Sequence, residues 1–324
     1  MKEPYRLVTF LLLALACGAY GAVQTPPGPG ATAATSPPTN SQAIKVDVNL
    51  VLVEVSVLDA RGQAVGDLRR EDFHVYENGV EQQIRTFSHE ELPLAVALVI
   101  DNSSSVEAAL NDLRNGALET LGVLKPDDKI ALFSFAMQPE LVEGLTADRQ
   151  ALAEDLWALS PNGGTDINDA LYAAATYLGR TSADRRHAAI LVSDNEPSET
   201  GTHGVRDVVR AALDSGTPIY SIKVGYMEHS KWFFLTHPET PLHDVEKICQ
   251  ESGGQLIDLR RGILVTTAMK TILTWLKQGY TLGYSPTNLR QDGSYRSLEV
   301  RVGARGKSKY TVYARQGYYA PVGK

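Results

Sequence analysis

The stretch Leu94-Ala-Val-Ala-Leu-Val-Ile-Asp-Asn-Ser-Ser-Ser105 constrains this chain more than any other. Seven apolar residues run without a polar break into a carboxylate, Asp101, and then into hydroxyls at Ser103 and Ser105. An uninterrupted apolar run is the pattern of a strand buried on both faces, at home in the middle of a parallel sheet. The polar cluster then falls at the strand's carboxyl end, where open α/β sheets form their ligand crevices. One carboxylate and two hydroxyls are hard oxygen donors, suited to Mg²⁺, Mn²⁺ or Ca²⁺. The same residues also read as a helix cap, with Asn102 or Ser103 accepting from the first turn of the next element.

Beyond Pro93 strands and helices alternate. Val106, Leu110, Leu113, Ala117, Leu121 and Leu124 recur at helical spacing, and Pro126 stops that helix. Strands are expected over 129–135, 141–142, 187–194, 218–224 and 255–259, and helices over 146–159, 167–178, 204–214, 244–251 and 263–278. Between two of these helices lies a glycine loop, Pro161-Asn-Gly-Gly-Thr-Asp166. His187 to Asp194 is a second apolar run that ends in a carboxylate. The alternation implies right-handed crossovers and a doubly wound, mostly parallel sheet covered on both faces.

The flanks are β-rich. Apolar residues in Val46 to Asp59 alternate, first on even and then on odd positions, as in a strand with a bulge or a change of sheet. Asp72–Tyr76 and Val80–Phe87 read as a hairpin around Asn78-Gly79, whose backbone suits a type I′ turn. His74 lies within it as an exposed sheet residue. Strands recur at 280–284, 297–302 and 309–315. Neither flank is large enough alone, so residues 44–92 and 279–320 are expected to form one split β-sandwich interrupted by the α/β unit, 93–278.

The amino terminus reads as an export signal over 1–21: Lys2 and Arg6 precede an apolar run, Leu7 to Ala16, too short to span a bilayer. Ala14-Leu15-Ala16 and Ala19-Tyr20-Gly21 both suit a signal peptidase, and Cys17 offers lipidation as the alternative and the one route to a membrane. The other cysteine, Cys249, sits in a helical pattern, so no disulfide is expected. Residues 22–43, rich in Pro, Gly, Ala and Thr, bury too little to fold and act as a tether. The expected location is the periplasm, envelope or exterior of a bacterial cell. Net charge is −7 with no basic block, which argues against nucleic acid as a partner.

Asp101, Ser103 and Ser105, with the loop threonine Thr165 and the strand-end Asp194, resemble the metal-ion-dependent adhesion site of von Willebrand factor type A domains. The flanking sequences Val48-Asn-Leu-Val-Leu-Val-Glu-Val, Glu71-Asp-Phe-His-Val-Tyr-Glu-Asn-Gly and Gly279-Tyr-Thr-Leu-Gly-Tyr-Ser-Pro resemble a bacterial, acidobacterial-type subfamily. Asn102 and Asn195 depart from the usual residues at positions that are not ligands in the family. The resemblance implies a strand order that brings Asp101 and Asp194 together at the reversal point. It implies Mg²⁺, or Mn²⁺ or Ca²⁺, held partly by hydroxyls. It further implies that the metal accepts an oxygen from a protein partner presenting a carboxylate. That function is binding rather than catalysis, since no histidine base is implied beside Ser103 or Ser105. An accessory scaffold subunit of an envelope complex is the alternative class, and a metal-dependent hydrolase a third.

Asp166 and Asp169 follow Thr165 at a helix start, where acids are favoured by the dipole alone. Tyr226, Trp232, Phe233 and Phe234 in the segment 225–243 are too aromatic for a plain loop and are candidates for partner recognition. His229, His237 and His243 with Glu228 and Glu239 repeat no zinc-ligand spacing.

Overall fold

In the computed structural model, the run Leu94–Asp101 is strand β5, buried along its whole length. The described residues are 50–90, 92–196, 201–224, 244–259, 264–303 and 309–323, with only the backbone of Ser105, Ala108 and Ala109. The signal, the tether, Cys17 and the aromatic segment 225–243 lie outside them.

β5 is parallel to β6 (Lys129–Phe135) on one side and to β8 (Arg186–Ser193) on the other. β9 (Ile219–Lys223) and β10 (Leu256–Asp258) extend the sheet beyond β8, and β7 (Pro139–Thr146) closes the other edge antiparallel to β6. The order β10-β9-β8-β5-β6-β7 puts the reversal point between β5 and β8. Because both faces are covered, β5 is apolar up to Asp101 and β8 is apolar from Ala188 to Val192. One layer contains α1 (Leu110–Leu121), α2 (Arg149–Ala158) and α6 (Val265–Lys277). The other contains α3 (Ile167–Thr181), α4 (Val205–Ser215) and α5 (Asp244–Ser252). The fold is α/β with a mostly parallel central sheet.

Several boundaries differ from expectation. The first helix enters through a 3₁₀ turn, Ser104–Ala109, before α1 begins. The two-residue strand at 141–142 is an eight-residue edge strand, because exposed Glu140 and half-buried Glu143 pair with β6 without breaking the ladder. The helix expected from residue 146 starts at Arg149, since the Asp148 carboxylate accepts from the amides of Gln150 and Ala151 and fixes the cap there.

The flanks form two four-stranded sheets, β13-β1-β11-β4 and β14-β12-β2-β3. In the first, β1 (Val51–Leu58) lies between β11 (Tyr280–Tyr284) and β13 (Thr311–Ala314), with β4 (Ile84–Ser88) on the outer side of β11. In the second, β12 (Tyr295–Val302) pairs with β2 (Phe73–Glu77) and β14 (Gly317–Tyr319), and β3 (Val80–Gln82) pairs with β2. Strands from before and after the α/β unit thus alternate in the first sheet and meet at the β12–β2 pair in the second, and the two sheets share one apolar core. Val53, Val55 and Val57 of β1 point into it, while Leu50 and Leu52 remain exposed. Asn78 and Gly79 both have positive φ, as the type I′ turn requires. The strand expected over 80–87 is instead two: the chain leaves one sheet at Gln83 and enters the other. β14 was not foreseen.

A buried polar cluster ties the two sheets together. Glu77 on β2 pairs with Arg296 on β12 at 3.3 Å and accepts from Tyr284 on β11 at 2.7 Å and Tyr318 on β14 at 2.8 Å. Only 3% of Glu77 and 2% of Arg296 is exposed, so each charge depends on the other.

Candidate metal site

The apolar run of β5 ends at Asp101, none of whose surface is exposed. Its Oδ1 accepts from the Ser103 amide at 2.9 Å, and its Oδ2 from the Ser193 hydroxyl at 2.5 Å. The second bond follows from register: Ile100 is paired with Val192, so Asp101 and Ser193 are the next residues along neighbouring strands. Burial pushes the Asp101 carboxyl up to about 6, against the bonds from Ser103 and Ser193, and the negative charge of Asp194 adds to the rise.

Asp194 stands just past the end of β8, half-buried, and its Oδ1 accepts from the Glu196 amide at 3.0 Å. The chain turns there through Asn195 at φ +59, a conformation asparagine tolerates and most residues avoid. Asn195 is anchored by the Ser221 hydroxyl of β9 at 2.8 Å and by the Ser193 Oγ, which accepts from its amide at 3.0 Å.

The glycine loop joins from the third side. Asn162 N–H donates to the Asn102 carbonyl at 2.7 Å, Ser104 N–H to the Gly163 carbonyl at 3.3 Å, and Asp166 N–H to the Ala136 carbonyl at 2.8 Å. Gly163 has φ +60, so the loop needs glycine at this point. These bonds zip the loops after β5 and β6 to the loop before α3. Thr165 and Ser103 are buried in this junction, with 2% and 1% exposed.

Asp101, Ser103, Thr165 and Asp194 are therefore borne by three segments that meet at the carboxyl edge of the sheet. Ser105 enters the 3₁₀ turn by its backbone, and its side chain lies outside the described residues. Tyr226, Trp232, Phe233 and Phe234 also lie outside them. Asp166 caps α3, its Oδ1 accepting from the Asp169 amide at 3.1 Å.

Two residues escaped the sequence reading. Ser193 is hidden in an apolar run, and only its place beside Asp194 hinted at a role. His203 donates its amide to Asp169, holds the same carboxylate through Nδ1 at 2.8 Å, and stacks on Tyr172. It lies far from α3 in sequence, and no local pattern joins the two.

The donor chemistry fits a hard divalent cation. A desolvated carboxylate with a second carboxylate's charge beside it is stabilised by a cation, and the hydroxyls of Ser103 and Thr165 add oxygen without further charge. Among the described residues no group of three or more His, Cys, Asp or Glu converges, so an ion at this edge would need the hydroxyls as well as the two carboxylates.

Residues 96–196 match the family model described as von Willebrand factor type A domain. The inter-alpha-trypsin inhibitor heavy chain H4 of Sus scrofa is 26% identical over 175 residues, or 50% of this chain. The match spans only 18% of that relative's length. Among solved structures, a von Willebrand factor type A protein from Catenulispora acidiphila aligns with TM-score 0.44 and 14% identity, covering 84% of this chain and 73% of the other. An aerotolerance-related membrane protein from Bacteroides fragilis aligns with TM-score 0.46 and 18% identity, covering 56% of this chain and 98% of the other.

Proposed function

Since the chain belongs to the von Willebrand factor type A domain family through residues 96–196, we propose that it is an exported protein that binds a protein partner through a divalent metal. The reading rests on one observation: Asp101 is wholly buried, is oriented by Ser103 and Ser193, and feels the charge of Asp194.

Asp101, Ser103, Ser105, Thr165 and Asp194 would hold the ion, Mg²⁺ by preference and Mn²⁺ or Ca²⁺ in its place. The ion supplies Lewis acidity toward an oxygen of the partner, and a carboxylate answers that charge best. The chain's own residues orient the carboxylates, exclude water from beneath Asp101 and present hydroxyls that leave the ion's charge largely unquenched. No catalytic step is assigned, because the serines serve as ligands and His203 is engaged by Asp169.

Partner choice is assigned to the surroundings of the metal, with Tyr226, Trp232, Phe233 and Phe234 as the anchors. Residues 1–21 serve as the export signal and 22–43 as the tether, with 44–92 and 279–320 forming a single sandwich that carries the α/β unit of 93–278. Capture from envelope extracts with the full chain, in Mg²⁺ and in EDTA, tests this function. A specific partner retained only in Mg²⁺ is expected. Capture indifferent to EDTA would remove the metal from the function.

A further inference from the structure

A cavity of about 200 Å³ lies where the α/β unit meets the sandwich, at the edge of the central sheet opposite Asp101. By volume it holds about six waters or one small polyatomic ion. Its lining residues include three arginines, Arg185, Arg186 and Arg315, and one acid, Glu54.

That carboxylate is already committed. Glu54 lies 2.7 Å from Arg186 Nε and accepts from the Thr281 hydroxyl at 2.9 Å. Arg186 spends its other nitrogens on the Leu276 carbonyl and Thr281, and Arg185 donates to the Asp127 carbonyl. Arg186 Nε meets Glu54 as an ion pair without a hydrogen bond, and Arg315 lacks even that. Arg315 donates to the Leu52 carbonyl at 2.6 Å and more weakly to the Leu213 carbonyl at 3.4 Å, while its Nε is shielded from solvent with no hydrogen-bond partner. Among the described residues no carboxylate stands at ion-pair distance from it; burial lowers its affinity for its proton, and the more distant charge of Glu54 only partly opposes this.

The fold places this cation deliberately. Gly253, at φ +96, lets the backbone at Arg315 approach so closely that a Cβ there would stand 2.5 Å from the Arg315 nitrogen. The Gln316 amide then donates to the Glu251 carbonyl at 3.1 Å, fastening the turn after β13 to the end of α5. Carbonyls at the end of α4 would repel an anion if left open, but they are occupied. Ala212 O accepts from Thr217 N, and Ser215 O faces His187 Nδ1 at 2.9 Å. The cavity keeps an excess of positive charge at a domain junction, a common place for ligand sites.

We propose that this cavity binds a small oxyanion, a phosphate or carboxylate group, on Arg315, and that the bound anion ties the sandwich to the α/β unit. The site is independent of the metal. The full chain, in EDTA and at constant ionic strength in chloride, is titrated in parallel with inorganic phosphate and with citrate. Amide resonances of Gly216, Gly253 and Arg315 should shift saturably and the melting temperature should rise, and whichever anion saturates at lower concentration identifies the class. Arg315→Gln should weaken the apparent affinity at least tenfold. No saturable shift at those amides with either anion overturns the proposal whatever the variant does, and so does an unchanged response in a folded Arg315→Gln protein.

Discussion

The Ser193 hydroxyl donates to Asp101 Oδ2 at 2.5 Å, joining the last residues of two adjacent parallel strands where the sheet's order reverses. The bond holds the buried carboxylate in one orientation and leaves Asp194, one residue further on, beside it.

Ser193→Ala should therefore weaken Mg²⁺ binding about tenfold or more, the usual effect of losing a group that orients a metal ligand. The Asn195 amide loses its acceptor as well, so the turn carrying Asp194 should loosen. Isothermal calorimetry with Mg²⁺ reads the effect. An affinity equal to wild type would mean that Asp101 is oriented without Ser193.

In the sandwich, Arg296→Met should cost about 3–5 kcal/mol, because it leaves the buried Glu77 carboxylate without its cation. Urea unfolding measures this directly. A cost under about 1 kcal/mol would show that the hydroxyls of Tyr284 and Tyr318 suffice to hold the carboxylate.

Much of the fold could be read from the sequence because its signals were local. The apolar runs of β5 and β8 can be little else than doubly covered strands, and Asn78-Gly79 permits few turns. What was missed depended on distance or direction. Nothing in Val80–Phe87 says that the chain changes sheets at Gln83, since both halves are equally good strands. Asp148 caps α2, but polar residues on either side leave the start of that helix open in the sequence. At the site, Asp101 and Asp194 announced themselves as carboxylates ending apolar runs. Ser193 and His203 act through partners on other strands and helices, which spacing along the chain does not reveal.

Removing everything after Gln278 should unravel β1, which loses both its neighbours, β11 and β13. An exposed edge and apolar face invite aggregation. Hydrogen exchange is expected to show loss of protection at Val53–Val57. Retained protection in a monomeric truncated chain would contradict the pairing.

Acid should release the segment at Thr202–His203 from α3. Partial burial works to raise the Asp169 carboxyl, but the amides of Thr202 and His203 and the His203 ring outweigh it and hold the carboxyl below its usual value. A depressed carboxyl contributes stability that is complete above the unfolded value, about 3.9, and is lost as pH falls through the folded one. Exchange at the Thr202 and His203 amides should accelerate below about pH 4 beyond the intrinsic trend, and Asp169→Ala should abolish that step. A step that persists in the variant would assign it to another group.

Calorimetric titration of Mg²⁺ into the wild-type chain and into Asp101→Ala tests the metal assignment most directly. The account predicts saturable binding to the wild type, none detectable in the variant, and a variant fold that is intact by circular dichroism, since the substitution removes a buried charge from beside Asp194. Equal Mg²⁺ affinity in the two proteins would contradict it.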